Sequence, residues 1–186
     1  MKQKKFGTGG PDVSVIGQGT WYLDRGDRKA AVAALRCGID LGMTHIDTAE
    51  MYGDAELVIA DAIAELPREK LFLRWRRSFP FAEPVAAFDE LVAPGKIRSW
   101  GVSNFDADDL GEMLAITGKG KIACNQVLYH LQERAIEHAV IPWCEQHGVA
   151  VVAYSPFGHN AFPSSRSKAG AMLQAIADAH DASARQ

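Results

Sequence analysis

Cysteine is scarce in this chain, which has only Cys37, Cys124 and Cys144. An odd number at wide spacing gives neither a disulfide framework nor a metal-ligand pattern, and reads as buried, reduced thiols of a cytosolic protein. No apolar run approaches the ~18 residues of a spanning helix, so no membrane partner is expected. The start, MKQKKFGTGG, is basic but has no apolar stretch behind it, so it is not a secretory signal and a cytoplasmic location is expected. Charge of one sign is lacking too. Lys and Arg number 20 against 23 Asp and Glu, and the net −3 gives no reason to expect nucleic acid. The basic stretch Arg74-Trp75-Arg76-Arg77 is too short to change that. The six histidines are scattered without metal spacing, so His130, His138, His147, His159 and His180 read as structural or solvated and no metal is expected. Linkers and low-complexity segments are absent, which leaves one domain over residues 1–186.

What is present is a regular alternation. The 186 residues, 47% apolar and 23% charged, suffice for one real core. Two short runs between Lys4 and Thr20 flank Gly-Gly-Pro-Asp, a hairpin signal. Gly26-Asp27 then predicts a helix cap, with Val32, Leu35 and Ile39 on one face and Gly42 as the stop. Strands are expected at 44–49, 71–73, 100–103, 123–129 and 149–155. Helices are expected around Leu57, Ala60 and Ala64, around Val85, Phe88, Leu91 and Val92 up to Pro94-Gly95, after Asp106 with Leu110, Met113 and Leu114 inward, around Ile136, Val140 and Trp143 up to Gly148, and from Met172, Leu173 and Ile176 onward after a polar loop at 159–170. Repeated β-α units with nearly continuous apolar strands predict a parallel sheet covered by helices. Both a barrel and a doubly wound open sheet fit. The dinucleotide fingerprint of the latter is lacking, since Gly17-Gln18-Gly19 is a lone G-x-G with Tyr22 where a third glycine belongs. Polar residues at strand C-termini, namely Asp47, Ser103, Asn104, Gln126 and Ser155, fall where a barrel places its active site.

Four stretches carry a more specific pattern: HIDTAEMYG (45–53), GKIRSWGVSNF (95–105), NQVLYH (125–130) and AYSPFG (153–158), with GQGTWYL (17–23) near the start. Together and in this order they resemble the aldo-keto reductase family along nearly the whole chain. The resemblance implies a (β/α)8 TIM-type barrel that binds NADP(H), usually NADPH rather than NADH, without a Rossmann domain. It implies reduction of a small aldehyde or ketone to an alcohol. Position by position, it implies Tyr52 as general acid and Asp47 as the carboxylate behind it. Ser103, Asn104 and Gln126 would hold the nicotinamide carboxamide, and Tyr154 would stack on its ring. Ser155 and Phe157 would lie along the pyrophosphate, with Thr20 a cofactor contact and Trp21 a contact at the pocket wall.

The chemistry asks for these types on its own account. A carbonyl that receives hydride becomes an alkoxide unless a proton is delivered within hydrogen-bond reach. Tyrosine ordinarily ionises near pH ~10, so it needs help to give up its proton near neutrality. A planar carboxamide calls for paired donors and acceptors, which Asn and Gln supply. Taken singly, each residue has a plainer reading: Asp47 as a turn former, Tyr52 as a half-buried aromatic, Ser103-Asn104 as a turn before the cap at Asp106, Tyr154 as core.

The pattern breaks at LFLRWRRSFP (71–80). In the family the strand after a REKLFL-type sequence ends in a lysine, and the next strand ends in a histidine-tryptophan pair. Here Leu73 runs directly into Arg74-Trp75, so Arg74 stands where the histidine belongs and the lysine has no counterpart. About one βα unit of ~31 residues is missing at this point. LQAIADAHDASARQ (173–186) resembles the helix before the family's seventh strand, which leaves about five barrel strands plus the N-terminal hairpin. Three causes are open: a real deletion, residues missing from the sequence as read, or a fold completed by a partner subunit. The continuous numbering favours a real deletion, with one strand from Leu71 to Trp75 serving for two and self-association possible through open sheet edges. The expected function is family-type NADPH-dependent carbonyl reduction, impaired here; the alternative is an inactive relic or a cofactor-binding interaction protein.

Overall fold

The computed structural model describes residues 1–7, 10–49, 51–66, the backbone of 72–76, residues 85, 88, 90–93, 98–158 and 162–186. The expectations for Leu71, Pro94-Gly95 and His159 lie outside these residues.

The chain opens with the expected hairpin. β1 (Gln3–Lys5) pairs antiparallel with β2 (Asp12–Ser14), Lys4 opposite Val13. Its apolar members Phe6 and Val13 are buried and pack with Cys124, Ala123 and Ala150, at the N-terminal ends of later strands. Phe6 also sets its ring edge against His45, with centroids 5.7 Å apart. The hairpin therefore covers the end of the sheets opposite to the strand C-termini.

Among the described residues six parallel strands follow in two three-stranded sheets. The first contains β3 (Gly17–Gly19), β4 (His45–Ala49) and β5 (Phe72–Arg76) in that order, and the second β6 (Trp100–Ser103), β7 (Ile122–Leu128) and β8 (Ala150–Tyr154). This is one strand more than the sequence led us to expect. β3 was hidden because Gly-Gln-Gly offers no apolar alternation, yet Gly17 pairs in parallel with His45 and Gly19 with Asp47. Its first glycine also lies close to the imidazole of His45, where a Cβ would meet the ring at 3.3 Å. At the sequence break, Leu73 and Arg74 are neighbours in one uninterrupted strand, paired with Ile46 and Asp47. Among the described residues no ladder joins β5 to β6.

Helices cover the sheets. Asp27 caps α1 (Arg28–Asp40) by accepting from the Lys29 amide at 3.1 Å, and Gly42 ends it at φ +87°. The expected face, Val32, Leu35 and Ile39, packs with Ile46 and with α2 (Ala55–Ile63). α2 turns differently from expectation. It buries Ala55, Val58, Ile59 and Ala62, whereas Leu57 is 53% exposed. The segment is apolar nearly all round, so periodicity could not choose its inner face. α3 (Ala107–Thr117) begins at a capping box: Asp106 accepts from the amides of Asp108 and Asp109, and Asp109 accepts from the Asp106 amide. α4 (Val140–His147) ends at Gly148, φ +72°. Ile136 belongs to a separate 3-10 turn, Ala135–Glu137, rather than to α4. These elements enclose the larger core of Trp100, Leu110, Met113, Ile122, Val140, Cys144 and Val149, on which Val85, Phe88 and Val92 pack. Fully burying a side chain such as Leu110 contributes about 1.5–3 kcal/mol.

α5 (Lys168–Ala179), capped by Ser167, starts inside the stretch read as a polar loop. It buries Gly170 and Ala177, while Met172 and Ile176 face outward. Small residues touch the neighbouring backbone here, so the large ones are left outside. The thiols divide as well: Cys124 and Cys144 are buried as expected, but Cys37 is exposed on the outer face of α1.

Candidate functional site

At the strand C-termini the polar side chains join into one network. Thr20, wholly buried just after β3, donates its hydroxyl to the Asp47 carbonyl at 2.9 Å. The Asp47 carboxylate on β4 accepts from Gln126 Nε2 at 3.0 Å. Gln126 belongs to β7, so this bond crosses from one three-stranded sheet to the other. The Gln126 carbonyl in turn accepts from the Ser103 hydroxyl and from the Asn104 amide, both at 2.8 Å. Asn104 holds a left-handed backbone, φ 59°, which turns the chain out of β6 toward the cap at Asp106.

One supporting residue escaped the sequence reading. Asn125, 0% exposed, donates Nδ2 to the Phe105 carbonyl at 2.8 Å and accepts from the Phe105 amide at 3.4 Å. It thereby fixes the turn that presents Ser103 and Asn104. An amide inside the otherwise apolar run IACNQVL was the available signal, because a buried amide must find partners.

Tyr52 follows β4 directly, its amide donating to the Ala49 carbonyl at 3.0 Å. Its ring lies nearly parallel to Trp21, at 14° and 6.1 Å between centroids. Trp21 stacks in turn on Tyr22 at 4.8 Å, and the Arg25 guanidinium sits 3.9 Å from the Tyr22 ring centre. Tyr22 takes φ 71°, which turns the chain into the 3-10 segment Leu23–Arg25. Trp21 and Tyr22 remain about half exposed, forming an aromatic wall beside Tyr52. Tyr22 and Arg25 could not be found from spacing, since left-handed backbone at a tyrosine leaves no motif.

The third group lies at the end of β8, in register with β7 through Leu128 and Tyr154. Ser155 takes φ 50° and its carbonyl accepts from the Gly158 amide at 2.8 Å, closing a tight turn. Phe157 sets its ring against the edge of Phe162 at 5.5 Å, and the Arg185 guanidinium lies 5.4 Å from the Phe157 ring centre. Thr20, Asp47, Ser103, Asn104 and Gln126 thus share one hydrogen-bond network. Trp21 and Tyr52 form a stack beside it, and Tyr154, Ser155 and Phe157 form a separate turn on the neighbouring strand. Hydroxyl, amide and backbone donors of this kind suit a planar carboxamide. Among the described residues no three His, Cys, Asp or Glu side chains gather as a metal site, and no helix is long and apolar enough to cross a membrane.

Comparison with known proteins places the chain. The model of the Aldo/keto reductase family matches residues 15–75 and 74–181. It matches in two stretches that meet at the Arg74-Trp75 junction. Methylglyoxal reductase YeaE of Escherichia coli is 42% identical over 227 aligned positions, spanning 100% of this chain and 79% of the relative. More positions are aligned than this chain's 186 residues, so part of the relative falls opposite gaps here. An NADH-specific methylglyoxal reductase of the same species is 27% identical over 84% of this chain and 67% of its own length. The crystal structure of an aldo-keto reductase from Klebsiella pneumoniae in complex with NADPH superposes with a TM-score of 0.82 at 36% identity, over 100% of this chain and 79% of that one. A barrel-type α/β fold with part of the barrel lacking, and a family model matched on both sides of the break, make this chain a member of the aldo/keto reductase family, oxidoreductases that at family level depend on NADP.

Proposed function

We propose that this chain reduces a small aldehyde or ketone to the alcohol with NADPH, at a rate below that of the intact family fold. The observation that carries this reading is the strand-end network in which Asp47, Gln126, Ser103 and Asn104 are bonded together beside the Trp21–Tyr52 stack. The cofactor, when bound, supplies the hydride that reaches the carbonyl carbon. Tyr52 delivers the proton to the carbonyl oxygen, which completes the alcohol. Asp47 is the carboxylate behind Tyr52. Ser103, Asn104 and Gln126 hold the carboxamide, Tyr154 covers the nicotinamide face, Ser155 and Phe157 line the pyrophosphate, and Thr20 and Trp21 complete the cleft. Likeness to YeaE makes methylglyoxal the first substrate to offer. NADPH is the first cofactor to offer, with NADH beside it because one relative is NADH-specific.

The lowered rate follows from the break after Leu73, which removes the lysine and histidine that the family sets beside its tyrosine. The same break favours a second reading, a cofactor-binding protein without turnover. The two separate in one experiment. Cofactor binding is titrated by fluorescence, and NADPH oxidation is followed with methylglyoxal for the wild type and for Tyr52→Phe. Slow turnover that falls by ~10²–10⁴ in Tyr52→Phe, with binding retained, supports reduction. Binding without any turnover decides for the second reading, and absence of binding overturns both.

A further inference from the structure

Two phenylalanines beyond β8 carry a cation. Phe157 belongs to the tight turn after that strand, in which Ser155 takes φ 50° and its carbonyl accepts from the Gly158 amide. Phe162 meets the Phe157 ring nearly at right angles, with centroids 5.5 Å apart. The Arg185 guanidinium lies over both rings, 5.4 Å from the centre of Phe157 and 5.3 Å from that of Phe162. Its own segment is held by a local turn: Gln186 donates its amide to the Ser183 carbonyl at 2.9 Å, and the Ser183 amide donates to Gln186 Oε1 at 2.9 Å. Arg185 is exposed, and among the described residues no carboxylate pairs with it. An aromatic face attracts a guanidinium without neutralising it. The permanent charge and the N–H donors therefore stay available to an anion.

The register of β7 and β8 relates this cation to the strand-end network. Val152 lies opposite Gln126, and Tyr154 opposite Leu128. Ser155 is three residues past the level of Gln126, roughly 10 Å along the neighbouring strand. That span is comparable to one nucleoside. A dinucleotide whose carboxamide is held at Gln126 and whose chain runs along β8 brings its phosphates to the Phe157 turn.

We propose that Arg185, seated on Phe157 and Phe162, is a binding residue for a phosphate of the dinucleotide. This rests on the reductase reading for the identity of the ligand, whereas the seat itself is a property of the fold. A guanidinium meets phosphate oxygens through two parallel N–H bonds, and a side chain already held on two rings loses less freedom when it does so.

The test measures dissociation constants by calorimetry on the full chain for NADPH, NADH and inorganic pyrophosphate. Wild type, Arg185→Met and Arg185→Lys are compared, with Arg185→Gln as a second neutral variant should Arg185→Met fail to fold. Arg185→Met keeps an apolar stem on the rings, so Tm should stay within a degree or two. Its affinity for NADPH should fall about tenfold or more at low ionic strength, and Arg185→Lys should recover part of the loss. The gap between wild type and Arg185→Met should narrow at high salt, as a charge contact requires. An equal loss for NADPH and NADH puts the contact at the pyrophosphate bridge, and a loss confined to NADPH puts it at the 2′-phosphate; either supports the proposal. Unchanged affinities overturn it. So does a loss indifferent to salt, which would mean a distorted turn. Should the wild type bind neither dinucleotide, the reductase reading falls. Pyrophosphate binding that disappears in Arg185→Met then still supports the phosphate seat, and no pyrophosphate binding overturns it too.

Discussion

Asn125 shows what a single buried amide does for this site. With no exposure and both ends engaged on Phe105, it ties the turn after β6 to the middle of β7. Asn125→Ala removes both of these bonds, which typically costs about 1–3 kcal/mol. Urea unfolding should register that loss, and cofactor titration should weaken in parallel, because Ser103 and Asn104 sit on the loosened turn. A second residue effect lies just beyond β7. The Glu137 carboxylate accepts from Arg134 Nε at 2.8 Å, from Arg134 Nη2 at 2.9 Å and from the Tyr129 hydroxyl at 2.5 Å. Arg134 first, and Tyr129 second, hold its carboxyl below the ordinary 4.5. The folded chain therefore binds this proton less readily than the unfolded one. The resulting stability is present above about pH 4.5 and fades as pH falls through the lowered value. Glu137→Gln should flatten the acid side of the stability profile between pH 5 and pH 3 while changing little above pH 6. An acid slope identical to that of the wild type would show the network to be inert. The two effects escape sequence reading for different reasons: Asn125 meets Phe105 only after β6 and β7 have aligned, whereas Tyr129 and Arg134 reach Glu137 through an irregular local turn that leaves no motif.

At the scale of elements, legibility followed how local the cause was. β6 and the cap at Asp106 were readable because a strand of Trp-Gly-Val-Ser and a capping box are written in consecutive residues. Asp106→Ala is expected to cost about 1 kcal/mol, since two amides of the first turn lose their acceptor. Thermal unfolding should show it, and Asp106→Ser should recover most of it. β3 was unreadable because its reason for being a strand is β4, not its own Gly-Gln-Gly. The inner face of α2 was misjudged because alanine and aliphatic residues surround the helix, so the neighbour selects the face. For α5 the cause was crowding: Gly170 lies against the backbone of Ser164, where a Cβ would collide, and a close approach of that kind turns Met172 and Ile176 outward. The site residues Asp47, Ser103, Asn104 and Gln126 were legible as polar ends of apolar strands. Their mutual bonds were not, because these join residues as far apart as 47 and 126.

For the molecule as a whole, the two three-stranded sheets leave strand edges unpaired among the described residues. β8 is one such edge, and its Ala-Val-Val-Ala-Tyr carries no charge to ward off another strand. We expect association that rises with protein concentration. Ala153→Lys, at an exposed position on that edge, should shift sedimentation toward the smaller species without lowering Tm by more than a degree or two. Sedimentation independent of both concentration and Ala153→Lys would remove the open edge as a cause. The bond from Gln126 to Asp47 has its own consequence at this scale. It is a clasp between two half-sheets, made by the same amide proposed to grip the nicotinamide carboxamide. A cofactor entering there must open the clasp and take its place, so loading exchanges an internal fastener for an external one. The protein would then be braced by its own ligand, and amide hydrogen exchange along β4 and β7 would slow in proportion to occupancy.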